Sequence, residues 1–278
     1  MKIALIDNGS LAASSHRALR AIASELGRLV GEEVDAVSWK HSDQIPSPEL
    51  GGKPAWTLRT WVLAQLENGQ SEFLFVPFFI SAQGAIGSAL RADLDSLNDT
   101  LVRCGKEGFK ARFTAGPGAG PELGRFVAAR VKAAAGRLGP SQPAVIVVDH
   151  GGPSRISAHL RDAIAREVTE LLGPAGPPVV AASMESPDGP EFAFNRPLLN
   201  ETLATPPFDD GDVIIAPLFL LPGRHAGPGG DLATIARSAE SRKPGLRCHF
   251  TGLLGSHPGM PALLAESVRG ALPRLISK

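Results

Sequence analysis

The sequence predicts an α/β protein of two tandem, similar βα domains. Each would have a central, mostly parallel sheet flanked by helices, with a cleft between the two. Three observations predict this. Short β-rich runs alternate with amphipathic helical stretches, the pattern of parallel strands joined by crossover helices. The same order of elements starts again after a Gly/Pro-rich segment, GRLGPSQP (136–143). The length of 278 residues is long for one ordinary domain and comfortable for two.

In the first half the strand runs are IALID (3–7), EVDAVSW (33–39), EFLFVPFF (72–79) and KARFTA (110–115). The clearest helix between them is SHRALRAIASELGRLV (15–30). It puts Leu19, Ile22, Leu26 and Leu29 on one face at helical spacing. In the second half the strand runs are AVIVVD (144–149), PVVAASM (178–184), DVIIAPLFL (212–220) and LRCHFTG (246–252), and SAHLRDAIAREVTELL (157–172) is a helix. The third of these strands is expected to run buried from Val213 to Leu221 before a turn at Pro222 and Gly223.

The halves overlay in order. IDNGS falls on VDHGG, which puts Asn8 over His150. AIASEL falls on AIAREV. VSWK falls on ASME, which puts Lys40 over Glu185. VPFFISAQGA falls on APLFLLPGRH, which puts Ala85 over His225. The boundaries expected from this duplication are 1–138 for the first domain and 144–278 for the second, joined near 137–143.

Composition removes several function classes. Lys+Arg and Asp+Glu both total 28, so there is no basic excess of the kind a nucleic-acid binder carries. No apolar run reaches the roughly 18 residues of a transmembrane helix, and the start MKIALIDNGS lacks a signal-peptide core. The two cysteines form no CxxC, against a disulfide scaffold, an iron–sulfur cluster or a zinc ribbon. GPGAGPELG (116–124) fails the spacing of a dinucleotide loop, because Pro121 stands where the third glycine belongs. The expectation is a cytoplasmic protein that binds neither nucleic acid nor membrane.

In open parallel sheets, ligands bind at the carboxyl ends of the strands. His150, Glu185 and His225 each follow such an end in the second half. Imidazole nitrogens accept Fe, Co, Ni and Zn, and a carboxylate adds a hard oxygen. Three ligands with open positions suit transient metal binding better than a closed structural site, which usually has four. At the matching places the first half has Asn8, Lys40 and Ala85, so one half carries the site and the other has lost it. Each residue alone also has a bland reading: a turn histidine for His225, a solvated loop acid or helix-start charge for Glu185. The coincidence of all three at equivalent strand ends favours a site.

With the motifs DHGGPS, SMESP and PLFLLPGRHAGPGGD, the second half resembles the class II tetrapyrrole chelatases, specifically sirohydrochlorin chelatases of the CbiX type in their two-domain form. The resemblance covers the whole chain as a tandem pair and is strongest over 144–265. It implies a chelatase-like fold and insertion of a divalent metal, Co²⁺ or Fe²⁺ with Ni²⁺ as a further candidate, into sirohydrochlorin or a related tetrapyrrole, in cobalamin or siroheme biosynthesis. It also implies that His150 and His225 bind the metal and take up pyrrole protons, with Glu185 assisting. Substrate contacts are then expected from Gly151, Gly152, Ser154, Arg155, Gly223, Arg224 and Lys40. No organic cofactor is implied, and the fused pair suggests a monomer. The chain departs from the family pattern in having Gly152 and Pro153 before Ser154, and in the distance from His225 to the next acid, Asp231, which predicts a looser loop. The other functional class to consider is a non-catalytic carrier that keeps the fold and holds a metal or tetrapyrrole.

Overall fold

The computed structural model of the protein describes residues 1–139, 142–227 and 229–272. Pro140 and Ser141, in the expected join, and Pro228, in the loop after His225, lie outside the described residues. The first repeat runs β1 (Lys2–Asp7), α1 (Ala13–Val30), β2 (Val34–Ser38), β3 (Trp56–Thr57), α2 (Leu58–Glu67), β4 (Glu72–Pro77), α3 (Ala85–Arg103), β5 (Lys110–Phe113) and α4 (Glu122–Leu138). The second runs β6 (Ala144–Asp149), α5 (Arg155–Leu172), β7 (Val179–Ser183), α6 (Leu199–Thr202), β8 (Asp212–Pro217), α7 (Asp231–Arg242), β9 (Arg247–Phe250) and α8 (Met260–Ala271). Among the described residues no helix is long and apolar enough to cross a membrane.

Two parallel sheets result, ordered β3-β2-β1-β4-β5 and β7-β6-β8-β9. The central strands are covered on both faces, which is why they read as continuous apolar runs. Ile3–Ile6 of β1, Phe73–Val76 of β4 and Val145–Val148 of β6 are all buried. The faces of α1 and α5 follow the expected period. Leu19, Ile22 and Leu26 of α1 are buried, as are Ala158, Ile164 and Val168 of α5. The first sheet packs an aromatic cluster in which Trp61 lies 5.3 Å from Phe73 and 5.8 Å from Phe75, centroid to centroid. The Trp61 indole N–H, which burial would otherwise strand, donates to Asp35 Oδ2 at 2.9 Å.

The two compact units do not follow the repeat boundaries. One joins residues 1–119 to α8, and the other is Gly120–His257. The cut expected at 138–144 marks the sequence repeat. The packing boundary differs because of where the last helix of each repeat buries its apolar face. Leu123, Val127 and Val131 of α4 are buried, and α4 packs on α5 and β8. Helix α8 buries Met260, Leu264 and Val268 and packs on α1, where Arg269 donates to Leu29 O at 2.6 Å.

Three expectations change in detail. A short edge strand, β3, precedes α2 and carries too few residues to show a period. The strand expected over Val213–Leu221 stops at Pro217. Its neighbour β6 ends at Asp149, so after Leu218 N–H donates to Val148 O at 2.7 Å there is no strand left to pair with. The overlay of Ala85 on His225 also needs correction. Ala85 is the first residue of α3, the place that Asp231 takes in α7. Eight residue steps separate Pro77 from Ala85, and fourteen separate Pro217 from Asp231. His225 therefore sits in a loop six residues longer than its counterpart in the first repeat.

Candidate metal and active site

The second unit places His150 beside Glu185 by extending strand pairing just past the strand ends. Met184 N–H donates to Asp149 O at 2.8 Å, and Glu185 N–H donates to His150 O at 3.1 Å. His150 and Glu185 are therefore side by side. The first unit repeats this backbone with different side chains: Trp39 N–H to Asp7 O at 2.8 Å and Lys40 N–H to Asn8 O at 3.3 Å. The glycine that follows is required in both. At Gly151, φ is +85°, and an added Cβ would lie 1.8 Å from Glu185 O. At Gly9, φ is +89°, and the Cβ would lie 1.7 Å from Lys40 O. Only glycine allows this approach of one turn to the other.

The imidazoles of His150 and His225 meet edge to face, with ring centroids 4.6 Å apart and planes at 86°. His150 Nε2 lies 3.6 Å from Glu185 Oε1. The tautomers follow from the partners. His150 Nδ1 lies 3.1 Å from Gly151 O, and His225 Nδ1 lies 2.7 Å from Asp231 Oδ2. A carbonyl and a carboxylate can only accept, so both Nδ1 atoms carry the proton. Each Nε2 then keeps its lone pair when the ring is neutral. His150 Nε2 and Glu185 Oε1 are thus two electron-rich atoms facing each other, an arrangement that a proton or a metal cation relieves. Among the described residues no group of three or more His, Cys, Asp or Glu side chains is placed to hold a metal ion. The group is an open pair of rings with an exposed carboxylate beside it.

Asp231 is a functional candidate that its distance along the chain concealed. Six residues beyond His225, and first in α7, it returns onto the Nδ1 of that ring. Arg224 Nε lies 3.7 Å from the same carboxylate, with most of its side chain in solvent. Beneath the His150 turn lies a buried polar network, also unmarked in the sequence. Arg161, 2% exposed, donates to Ser183 Oγ, and Ser183 Oγ donates to Asp149 Oδ1 at 2.6 Å. Burial pushes the Asp149 carboxyl above its ordinary value, while Ser183 and Arg161 pull it back. Arg161 is the charge that makes a buried carboxylate tolerable at this strand end.

The expected substrate contacts sit as follows. Gly152 is bracketed by Asn195, whose Oδ1 accepts from Gly152 N at 3.2 Å and whose Nδ2 donates to Gly152 O at 3.0 Å. Ser154 caps α5, its hydroxyl accepting from Ser157 N at 3.3 Å, so that oxygen is already engaged. Arg155 lies over the Phe194 ring at 4.6 Å and donates to Glu191 O at 3.1 Å. Gly223 N–H closes a turn onto Ala226 O at 2.9 Å. Lys40 belongs to the first unit, where its Nζ lies 3.8 Å above the Trp39 ring and 4.0 Å from Asp93.

Residues 144–271 match the family model CbiX. No curated protein matched the sequence. Among solved structures, SirB from Bacillus subtilis with Fe³⁺ is similar with a TM-score of 0.66 and 14% identity, over 97% of this chain and 95% of that one. The sirohydrochlorin chelatase SirB from Bacillus subtilis subspecies spizizenii, in complex with cobalt, gives 0.65 and 14%, over 97% and 94%. CbiX, the terminal enzyme for biosynthesis of siroheme in denitrifying bacteria, gives 0.59 and 20%, over 98% and 100%. At these identities the likeness is one of fold, two parallel-sheet α/β units flanked by helices.

Proposed function

We propose, for a chain whose residues 144–271 match the CbiX family model, that the protein inserts a divalent metal into sirohydrochlorin or a closely related tetrapyrrole. Co²⁺ and Fe²⁺ are the candidate metals. The observation that carries the reading is that His150 meets the His225 ring at 4.6 Å and the Glu185 carboxylate at 3.6 Å, with both imidazole Nδ1 atoms engaged so that each neutral ring keeps its Nε2 lone pair for a metal. The solved chelatases of the same fold, recorded with iron and with cobalt, support it.

The chemistry replaces two pyrrole N–H protons by one M²⁺. The metal is a substrate, so its protein ligands must let it go. Two imidazoles and one carboxylate hold a divalent ion while leaving coordination positions for the macrocycle nitrogens. As metal–nitrogen bonds to the ring form, the nitrogens freed on the protein become proton acceptors, and the two protons leave through His150, His225 or Glu185. Asp231 steadies His225 in both states: it fixes the ring's orientation while the metal is bound and lies against the imidazolium after the proton arrives. Arg224 and Arg155 offer guanidinium groups to the carboxylates of the tetrapyrrole. The repeat gives one chain what a symmetric dimer of short chains would supply, which favours a monomer.

Turnover tests the reading. Anaerobic mixing of the protein with excess sirohydrochlorin and Co²⁺, followed by absorbance, should show many insertions per protein above the spontaneous rate. One insertion per protein or fewer would leave a carrier and overturn the assignment.

A further inference from the structure

We infer that Asn195 is a positioning residue for metal capture: its amide clamps the turn after His150 to the turn after Glu185 and so sets the spacing of those two ligands. This rests on the reading of His150 and Glu185 as metal ligands. Asn195 ends the 3₁₀ segment Pro190–Asn195 and is 1% exposed. Its Oδ1 accepts from Gly152 N, and its Nδ2 donates to Gly152 O at 3.0 Å, to Ser186 Oγ at 3.3 Å and to Phe192 O at 3.2 Å. Gly152 is two residues past His150, and Ser186 is one past Glu185. A single buried side chain thus reaches both ligand-bearing turns.

The turns need such a clamp. Gly151 and Gly152 have φ of +85° and +138° and no side chain to hold them in place, so the turn carries the full conformational freedom of glycine unless something outside binds it. Asn195 is itself anchored from below. Arg161 donates to Asn195 O at 3.3 Å and to Phe194 O at 3.0 Å while also bonding Ser183 at the end of β7. The clamp is therefore built on the sheet rather than on another loop.

The first unit shows what the turn requires and what is specific to the second. Ser10, which corresponds to Gly152, is also bracketed on both backbone groups, but by Ser42. Ser42 Oγ accepts from Ser10 N at 3.2 Å and donates to Ser10 O at 3.1 Å. Ser42 follows Lys40 on its own loop, and at the corresponding place after Glu185 the second unit has Pro187, which offers no hydroxyl. The function has passed to an amide from a separate segment, whose second donor also holds the Glu185 turn. In both units one side chain ties the two turns; in the first it is part of the Lys40 turn itself, and in the unit with ligands it comes from a separate segment anchored on the sheet.

The test uses the full-length protein and Co²⁺ alone, with affinity and the visible spectrum of the bound ion as readouts beside insertion kinetics and thermal melting. Asn195→Asp keeps the volume and the acceptor but turns the donor that reaches Gly152 O, Phe192 O and Ser186 Oγ into a second acceptor. Co²⁺ affinity should fall about 10- to 100-fold, as for other residues that orient ligands. The spectrum of bound Co²⁺ should change, and KM for Co²⁺ should rise more than kcat falls. Ser186→Ala removes only the arm to the Glu185 turn and should weaken Co²⁺ about fivefold with normal melting; it carries the test if the Asn195 variant fails to fold. Folded variants with wild-type Co²⁺ affinity and spectrum overturn the inference. Wild type that binds Co²⁺ in this Asn195-dependent way but inserts none supports the clamp and refutes the chelatase reading. Wild type that binds no Co²⁺ refutes both.

Discussion

Asp231 Oδ2 lies 2.7 Å from His225 Nδ1, the shortest contact that either site histidine makes through a ring nitrogen. It fixes which nitrogen carries the proton, and so which one faces a metal. Asp231→Ala should lower Co²⁺ affinity and insertion rate about 10- to 100-fold. Asp231→Asn, which can still accept from Nδ1–H through its carbonyl, should lie between the two. Stability should move by no more than about 1 kcal/mol, since the carboxylate is half exposed at the start of a helix. An alanine variant that inserts metal at the wild-type rate would show that the hydrogen bond is idle.

His225→Ala removes a ligand and a proton acceptor from a part-buried loop position. Folding stability should change by less than about 1 kcal/mol. Insertion should slow about 100-fold or more, the usual loss for a general base alone. Melting and insertion rate measured on the same samples decide the matter. Normal melting with near-normal insertion would make His225 a turn residue.

Metal binding should be confined to the second unit. Asn8 and Lys40 sit on a backbone that repeats the His150–Glu185 pairing, yet they offer no ligand set. Crystals soaked in Co²⁺ should show density beside His150 and His225, and a comparable peak beside Asn8 would refute the asymmetry.

The tight approach of the turns gives a paired glycine prediction. Gly151→Ala and Gly9→Ala each place a Cβ inside a neighbouring carbonyl at positive φ. Both should destabilise by at least about 2 kcal/mol, read by chemical denaturation. Only the first should also lower Co²⁺ affinity. Wild-type affinity in a folded Gly151→Ala protein would uncouple the turn from the metal.

The first unit contains two buried titratable groups whose shifts act on stability in opposite directions. Burial raises Asp7 to about 6 and lowers His16 to about 4. Both adjoin Ser38, and His16 Nε2 is buried without a hydrogen-bond partner. Between about pH 4 and 6 the folded Asp7 holds a proton that the unfolded chain releases, so falling pH stabilises through Asp7. Between about pH 6.5 and 4 the unfolded chain protonates His16 before the folded one does, so falling pH destabilises through His16. Each effect is at most ~3 kcal/mol, and the two oppose over nearly the same window. Melting curves should show Asp7→Asn losing stability more steeply than wild type from pH 6.5 to 4, and His16→Gln losing it less steeply or gaining. Parallel curves for all three proteins would show that these groups do not titrate in that range.

The sequence by itself determined the alternation of strands and helices, the repeat, and which half carries histidines at its strand ends. Those follow from local signals: apolar runs of buried parallel strands, helical spacing on α1 and α5, and a DHGG turn overlaying DNGS. Tertiary structure alone decided the rest. The compact units exchange the last helices of the repeats, because a helix's apolar face records that it is buried but not against what. Arg161 and Asn195 carried no motif, since a buried guanidinium and amide are recognisable only once the groups they satisfy, Asp149, Ser183 and Gly152, surround them. Asp231 lay too far along the chain to be read as the partner of His225, and the loop brought it back. Hydrogen bonds are set by distance in space, and the sequence gives distance only along the chain.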